Sequence, residues 1–318
     1  MNPYEDLILT RYLYSKVEVK HSLFIALLNR AYDEVLFWAY ELYFSGFEEE
    51  VTEYILSIYE ELYEKENPKL RRFIEATIQA KSAVGIGSIL ATLVSRPYSL
   101  AEFITTYFHI KCTDTITGKP CAVQFIVRLT ENDIQPYLTR EPGLSAPRLY
   151  LREVCRYTVH KNVHTLFQCK QSDFTEQYRM NWLYYAAGSP IWAGRIAEYD
   201  GVIDHEQKKV VFPEDDEDVE VDDSDSFYQT WELEPDEQPL SVQQKSIGNG
   251  LCQQDQYQLV DFCHKYGVQP AVKLMKKKVE TLEKIESIKT TEKIEKIKPS
   301  KKKLVLTNDI VLSDKLHT

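Results

Sequence analysis

The residues best equipped for chemistry lie in "CRYTVHKNVHTLFQC": Cys155, His160, His164 and Cys169. Two histidines four apart share one face of a helix and can grip a zinc ion, and the flanking cysteines complete a Cys2His2 set. The spacing argues the other way. Zinc cysteines come as close pairs on knuckles, and five-residue offsets swing each one off the histidine face. The alternative is two buried cysteines and two surface histidines. A second constellation is basic. Arg148, Arg152 and Arg156 recur every four residues on an expected helix at 147–158. They could meet phosphates, or simply pair with Glu153 or with the acidic tract at 214–225. Gly85-Ile-Gly87 lacks the third glycine, the Lys-Ser/Thr and the preceding strand of a phosphate loop. No Ser/His/Asp or Cys/His grouping has a local signature, so the reading is non-enzymatic, an enzyme of unrecognised class staying open.

The third constellation is aromatic. On a helix expected at about 33–44, Tyr32, Val35, Leu36, Ala39, Leu42 and Tyr43 make one apolar face. Phe37 and Trp38 fall on the opposite side, between Glu34 and Glu41. A helix apolar on two sides sits inside a stack, or offers one side to a partner. Core packing weighs more, since the helices at 1–30 and 67–110 must also bury a face. The docking reading makes Phe37 and Trp38 a hot spot with Glu34 and Glu41 as its polar rim.

These residues need elements to hold them. Ser15-Lys-Val-Glu18 reads as a capping box opening a helix to about Arg30. Ser45-Gly46 ends a second helix, and Glu48 to Glu50 open a third, strongly amphipathic one. Asn67-Pro68 restarts a helix with asparagine as N-cap. "VGIGSILATLVSR" and a second capping box, Ser99–Glu102, give two more. Six helices on short connectors thus stack as antiparallel neighbours over 1–110. An α+β region follows at 111–212. It holds a hairpin around Gly118-Lys-Pro120, helices at 131–137, 147–158, 173–187 and 190–200, and a hairpin turning at Asp204–Gln207. An acidic disordered loop is expected at 213–226, short helices at 227–268 and a basic low-complexity tail at 269–318. The expected fold is mainly α: an N-terminal stack of short antiparallel helices, an α+β region with small hairpins, and a flexible basic tail.

Composition sets the outer limits. Only 11 of 318 residues are glycine, about half the usual ~7%, which favours helices over a many-stranded sandwich. No run approaches the ~18 apolar residues of a membrane span, and "MNPYEDLILT" does not read as a secretory signal. Six dispersed cysteines read as reduced thiols in the cytoplasm. The net charge is −11, unevenly placed. Residues 273–318 carry 13 lysines against 7 acids, so the chain totals of 38 basic and 49 acidic leave residues 1–272 at 25 against 42. An acidic body does not lie on DNA. Lys301, Lys302 and Lys303 in the tail could touch nucleic acid, although interspersed glutamates weaken the charge and no aromatics stand by to stack on bases.

Residues 12–74, "YLYSKVEVKHSLFIALLNRAYDEVLFWAYELYFSGFEEEVTEYILSIYEELYEKENPKLRRFI", resemble an uncharacterised family of the nucleocytoplasmic large DNA viruses. "GSPIWAGRIAEYDG" and "ELEPDEQPLSVQQKSI" are similar to other parts of that family. The resemblance implies a virus factory or virion, and carries no activity and no site residue. Residues 21–58 are also similar in rhythm to the collar helices of clamp-loader-type ATPases, which implies only a helical, assembly-type fold. The leading expectation is a non-enzymatic interaction or structural protein with a protein partner and no cofactor. The second is a zinc-stabilised nucleic-acid accessory protein.

Overall fold

Residues 7–110 form six α-helices: α1 (Lys16–Leu28), α2 (Tyr32–Tyr43), α3 (Glu48–Ile58), α4 (Arg71–Gln79), α5 (Ala83–Val94) and α6 (Ala101–Phe108). This computed structural model describes residues 7–110, 112–113, 116–117, 125–143, 147–160, 166, 173–213, 223–248 and 259–270. The chain is mainly α, as its periodicity indicates. α2 is the centre of the stack and packs most extensively on α1 and α5. Every residue from Val35 to Leu42 is buried, so both apolar sides of α2 face protein. α3 buries one face through Val51, Ile55 and Ile58, and its three leading glutamates sit at the positive end of the helix dipole. A π-helical turn, Tyr59–Tyr63, extends it. The wider turn brings Tyr59, Leu62 and Tyr63 all into the core. At the α2–α3 corner Gly46 has φ +92°, and a Cβ there would lie 2.4 Å from Pro190 Cβ. Only glycine permits both the turn and the approach.

The expected side-chain caps at Ser15 and Asn67 are not made. Ser15 makes no side-chain cap to α1. It is buried in a tight loop where its backbone bridges Leu9. Asn67 likewise does not cap. Its buried amide donates to the carbonyls of Tyr63 (2.9 Å) and Pro97 (2.8 Å), stitching two connectors together.

After α6 the helices shorten: α7 (Glu131–Ile134), α8 (Tyr150–Val154), α9 (Thr175–Met180), α10 (Trp182–Ala186), α11 (Pro190–Ala197), α12 (Asp223–Trp231), α13 (Leu240–Ile247) and α14 (Leu259–Lys265). The expected helix at 173–187 is broken at Asn181, whose amide donates to Lys208 O at 3.1 Å. α12 begins at Asp223, so the end of the expected acidic loop is helical. The rest of that loop, 214–222, lies outside the described residues, as does the tail beyond Pro270.

Strands pair in twos. β1 (Tyr98–Ser99) pairs with β3 (Ile116–Thr117), and β2 (Cys112–Thr113) with β6 (Gln269–Pro270), both antiparallel. The expected hairpin around Gly118 is thus corrected on its first arm, which divides between two distant partners. β4 (Val202–Asp204) and β5 (Lys209–Val211) form the other expected hairpin. Asp204 Oδ1 accepts from the amides of Glu206 and Gln207, both at 2.9 Å, and sets its turn.

Among the described residues, one ion pair lies wholly inside. Arg11 Nε donates to Glu41 Oε2 at 2.9 Å, with side chains 1% and 0% exposed. Glu41 Oε1 also accepts from Thr10 Oγ1 (2.6 Å) and the amide of Tyr12 (3.1 Å). Arg11 donates further to Thr139 Oγ1 (3.0 Å) and Tyr137 O (2.9 Å). Both ions are thereby multiply hydrogen-bonded, the condition under which a buried pair is tolerated.

The α2 hot spot is corrected here. Trp38 and Glu41 are 0% exposed and Phe37 3%, so they cannot meet another molecule without unfolding. The chain's own later segments cover them. Tyr157 packs on both Phe37 (5.2 Å between centroids) and Trp38 (6.3 Å), and Tyr14 stands edge-on to Trp38 at 5.0 Å. Trp38→Ala is expected to cost ~3–5 kcal/mol in urea-induced unfolding. Glu41→Ala, which strands Arg11, is expected to cost ~3–5 kcal/mol as well. A loss near zero for either would contradict this core.

Candidate functional site

The acids at the start of α2 are met by side chains of later segments. Asp33 accepts from Tyr137 Oη (2.6 Å), Arg156 Nη2 (2.6 Å) and the Tyr157 hydroxyl. Burial works to raise its pKa, but these hydrogen bonds and the Arg156 charge outweigh it and hold the carboxyl below its usual range. Glu34 accepts from Trp38 Nε1 (3.1 Å) and pairs with His160 Nε2 (2.8 Å), and its pKa is lowered against the same burial effect. His160 is therefore engaged by Glu34. Cys155 is buried, with Tyr12 O at 3.6 Å and Ser246 Oγ at 3.7 Å, and burial pushes its thiol up to about 12. Burial and these two contacts place the Cys155 thiol in the packed interior. His164 and Cys169 lie outside the described residues, and among the described residues no three His, Cys, Asp or Glu side chains are grouped to hold a metal.

The arginine stripe is also corrected. α8 ends at Val154, and Cys155 is extended (φ −74°, ψ 91°), so Arg148, Arg152 and Arg156 do not share one helix. Arg156 turns to Asp33. Arg152 is exposed. Glu153 pairs with Arg140 (3.4 Å) rather than with the stripe. Arg148 reaches a different acidic segment: Nη2 meets Glu232 (2.9 Å) and Glu234 (2.7 Å), and Nη1 meets Glu237 (3.3 Å). Lys301, Lys302 and Lys303 lie outside the described residues.

That last contact marks the rim of a pocket. A cavity of about 290 Å³ is lined by Trp182, Tyr228, Trp231, Glu232, Leu233, Glu234 and Asp236. Trp182 opens α10, while Tyr228 and Trp231 lie one turn apart near the end of α12. The aromatic wall is braced from behind. Trp182 packs edge-on to Trp192 at 5.3 Å, and Trp192 to Trp231 at 5.1 Å. The buried Arg195 guanidinium sits 3.8 Å from the Trp231 ring centroid.

The acidic side is a loop, 232–239, tied by buried amides. Gln238 Nε2 donates to Arg148 O (2.8 Å) and Leu233 O (2.7 Å). Gln243 Nε2 donates to Gln238 O (2.7 Å), and Gln243 Oε1 accepts from Arg179 Nε (3.0 Å) and Nη2 (2.9 Å). Glu234 has φ +38°, a left-handed backbone that a side chain adopts at a cost and that recurs at functional sites. Burial, then the neighbouring Glu237, push its carboxyl up to about 7, with Arg148 pulling the other way. Glu232, hydrogen-bonded by Arg148, is lowered. The cavity thus sets aromatic rings beside acidic side chains, a combination whose chemistry suits a cation with an apolar flank.

Comparison with known proteins finds no family model, no curated protein and no solved structure that matches the chain.

The pocket residues were not singled out from the sequence. Their signal is the run "WELEPDE", a tryptophan followed by alternating carboxylates at 231–237. Trp182 and Arg148 lie too far away in the chain for any local pattern to join them to it.

Glu234 holds its proton more tightly in the folded chain than in the unfolded one. Its contribution to stability is present below about 4.5 and lost as pH rises to about 7. Asp33 and Glu34, both lowered, act in the opposite sense, and their contribution is lost only as pH falls below the ordinary carboxylate range. Glu234→Gln should therefore gain melting temperature relative to the parent across that upper window, as followed by circular dichroism. A difference independent of pH would show that Glu234 titrates as an ordinary carboxylate.

Proposed function

We propose that the protein is a non-enzymatic interaction protein that binds a basic segment of a protein partner at the pocket between α10, α12 and the 232–236 loop. The observation that carries this reading is the convergence of Trp182, Tyr228 and Trp231 with Glu232, Glu234 and Asp236 on one cavity of about 290 Å³. A pocket of that size admits a side chain rather than a domain. Its charge selects a cation, and the acidic body, 25 basic against 42 acidic residues over 1–272, steers basic partners toward it. A nucleic-acid role at the arginines has less support, because Arg148 and Arg156 already face carboxylates. A setting in a large DNA virus rests on the resemblance of residues 12–74 alone.

The test is a titration of the full-length protein with a Lys/Arg-rich peptide and, separately, a Glu-rich peptide of equal length, read by tryptophan fluorescence and calorimetry. Saturable binding of the basic peptide only is expected. The double variant Glu232→Gln/Asp236→Asn should weaken it roughly tenfold or more, the scale for removing charge-assisted contacts. Equal behaviour of the two peptides, or full binding by the double variant, would overturn the reading.

A further inference from the structure

The acid cluster at the pocket already holds a cation, and it comes from this chain. We infer that Arg148 is a resident competitor for the recognition site, and that the partner group it stands in for is an arginine guanidinium. The inference rests on the pocket being a binding site, as proposed above, and adds which cation enters and what must leave.

Three features support it. The first is the shape of the contact. Both terminal nitrogens of Arg148 are used, Nη2 between Glu232 and Glu234 and Nη1 toward Glu237. Carboxylates spread over six residues of one loop thus present acceptors to a planar fork, which an ammonium, a compact point charge, would satisfy less well.

The second is that Arg148 can leave at little cost. Its side chain is 56% exposed, so water replaces its hydrogen bonds on departure and each contact is worth little to the fold. Its backbone stays in place without the side chain, because Gln238 Nε2 holds the Arg148 carbonyl. The loop is independently fixed by Gln243 and Arg179. Release of the guanidinium therefore leaves the receptor standing.

The third is that Arg148 does not saturate the cluster. Glu234 Oε2 is buried and accepts no hydrogen bond among the described residues. Asp236, which lines the cavity beside the aromatic rings, makes no ion pair with Arg148, whose partners are Glu232, Glu234 and Glu237. A guest guanidinium with five donors, reaching in along Trp182 and Trp231, would take the acceptors Arg148 holds and also those it does not reach. The swap exchanges one guanidinium for another, so the charge of the cluster is unchanged by binding.

The experiment compares the full-length parent with Arg148→Gln. The probes are a capped glycine peptide bearing a single arginine and its single-lysine counterpart, at a pH well above the value of about 7 for Glu234. The parent is expected to prefer the arginine peptide, and Arg148→Gln to bind it roughly fivefold tighter, the scale of losing a few exposed charge pairs. Arg148→Lys, which keeps the charge but loses the fork, should fall between the two. Unchanged or weaker binding by Arg148→Gln would overturn the competitor role, and equal affinity for the two peptides would overturn the guanidinium preference. If no form binds either peptide, both the inference and the pocket reading fall. Circular dichroism of each variant separates these outcomes from misfolding.

Discussion

Glu41 carries a carboxylate where no water reaches, and the architecture is arranged around keeping that charge satisfied. Its partners come from the loop before α1: Arg11 through the guanidinium, Thr10 through its hydroxyl, Tyr12 through its amide. Arg11 in turn binds Tyr137 O and Thr139, so the pair links residues 10–12, α2 and the segment after α7. Apolar contacts are indifferent to small slides, whereas a buried ion pair is satisfied in one arrangement only. Such a pair adds little net stability over a hydrophobic substitute. Its effect here is to select one register of loop on helix from many that would bury similar area.

The consequence for α2 is that each of its faces is used by its own chain. Its first turn gathers Tyr137, Arg156, Tyr157 and His160 onto Asp33 and Glu34. The two-sided apolar pattern was legible in the sequence, and so were the six helices of the first 110 residues, because helical spacing at Val51, Ile55 and Ile58 or a glycine such as Gly46 is a local signal. The coverage of α2 was not legible. It depends on Tyr157 and His160, more than a hundred residues away. The missed caps share this cause. Asn67 has the right chemistry for an N-cap, but the carbonyls of Tyr63 and Pro97 take its side-chain amide, and at Ser15 the backbone bridges Leu9.

The basic stripe failed for a related reason. A four-residue spacing of arginines implies one face only while the helix lasts, and α8 ends two residues before Arg156. Buried Cys155 turns the backbone, sending Arg148 and Arg156 to acids on opposite sides in sequence. The pocket that Arg148 reaches draws on α10, α12 and the loop after it. Half of its chemistry, the carboxylates and Trp231, sits in one readable stretch. The other half arrives through the fold, and only the fold sets those carboxylates and aromatic rings around one cavity.

The loop that feeds Glu41 is itself closed by residues made much later. Leu9 N donates to Tyr185 O at 3.1 Å, and Trp192 Nε1 donates to Thr10 O at 3.0 Å across 182 residues of sequence. Because a ribosome delivers a chain from N- to C-terminus, Leu9 and Thr10 wait for α10 and α11 before these backbone groups are paired. Helices of the stack can form early from local contacts, whereas the segment that locks them is a long-range closure of the kind that slows folding. In order of synthesis, the 9–10 segment is made well before the residues that hold it in place.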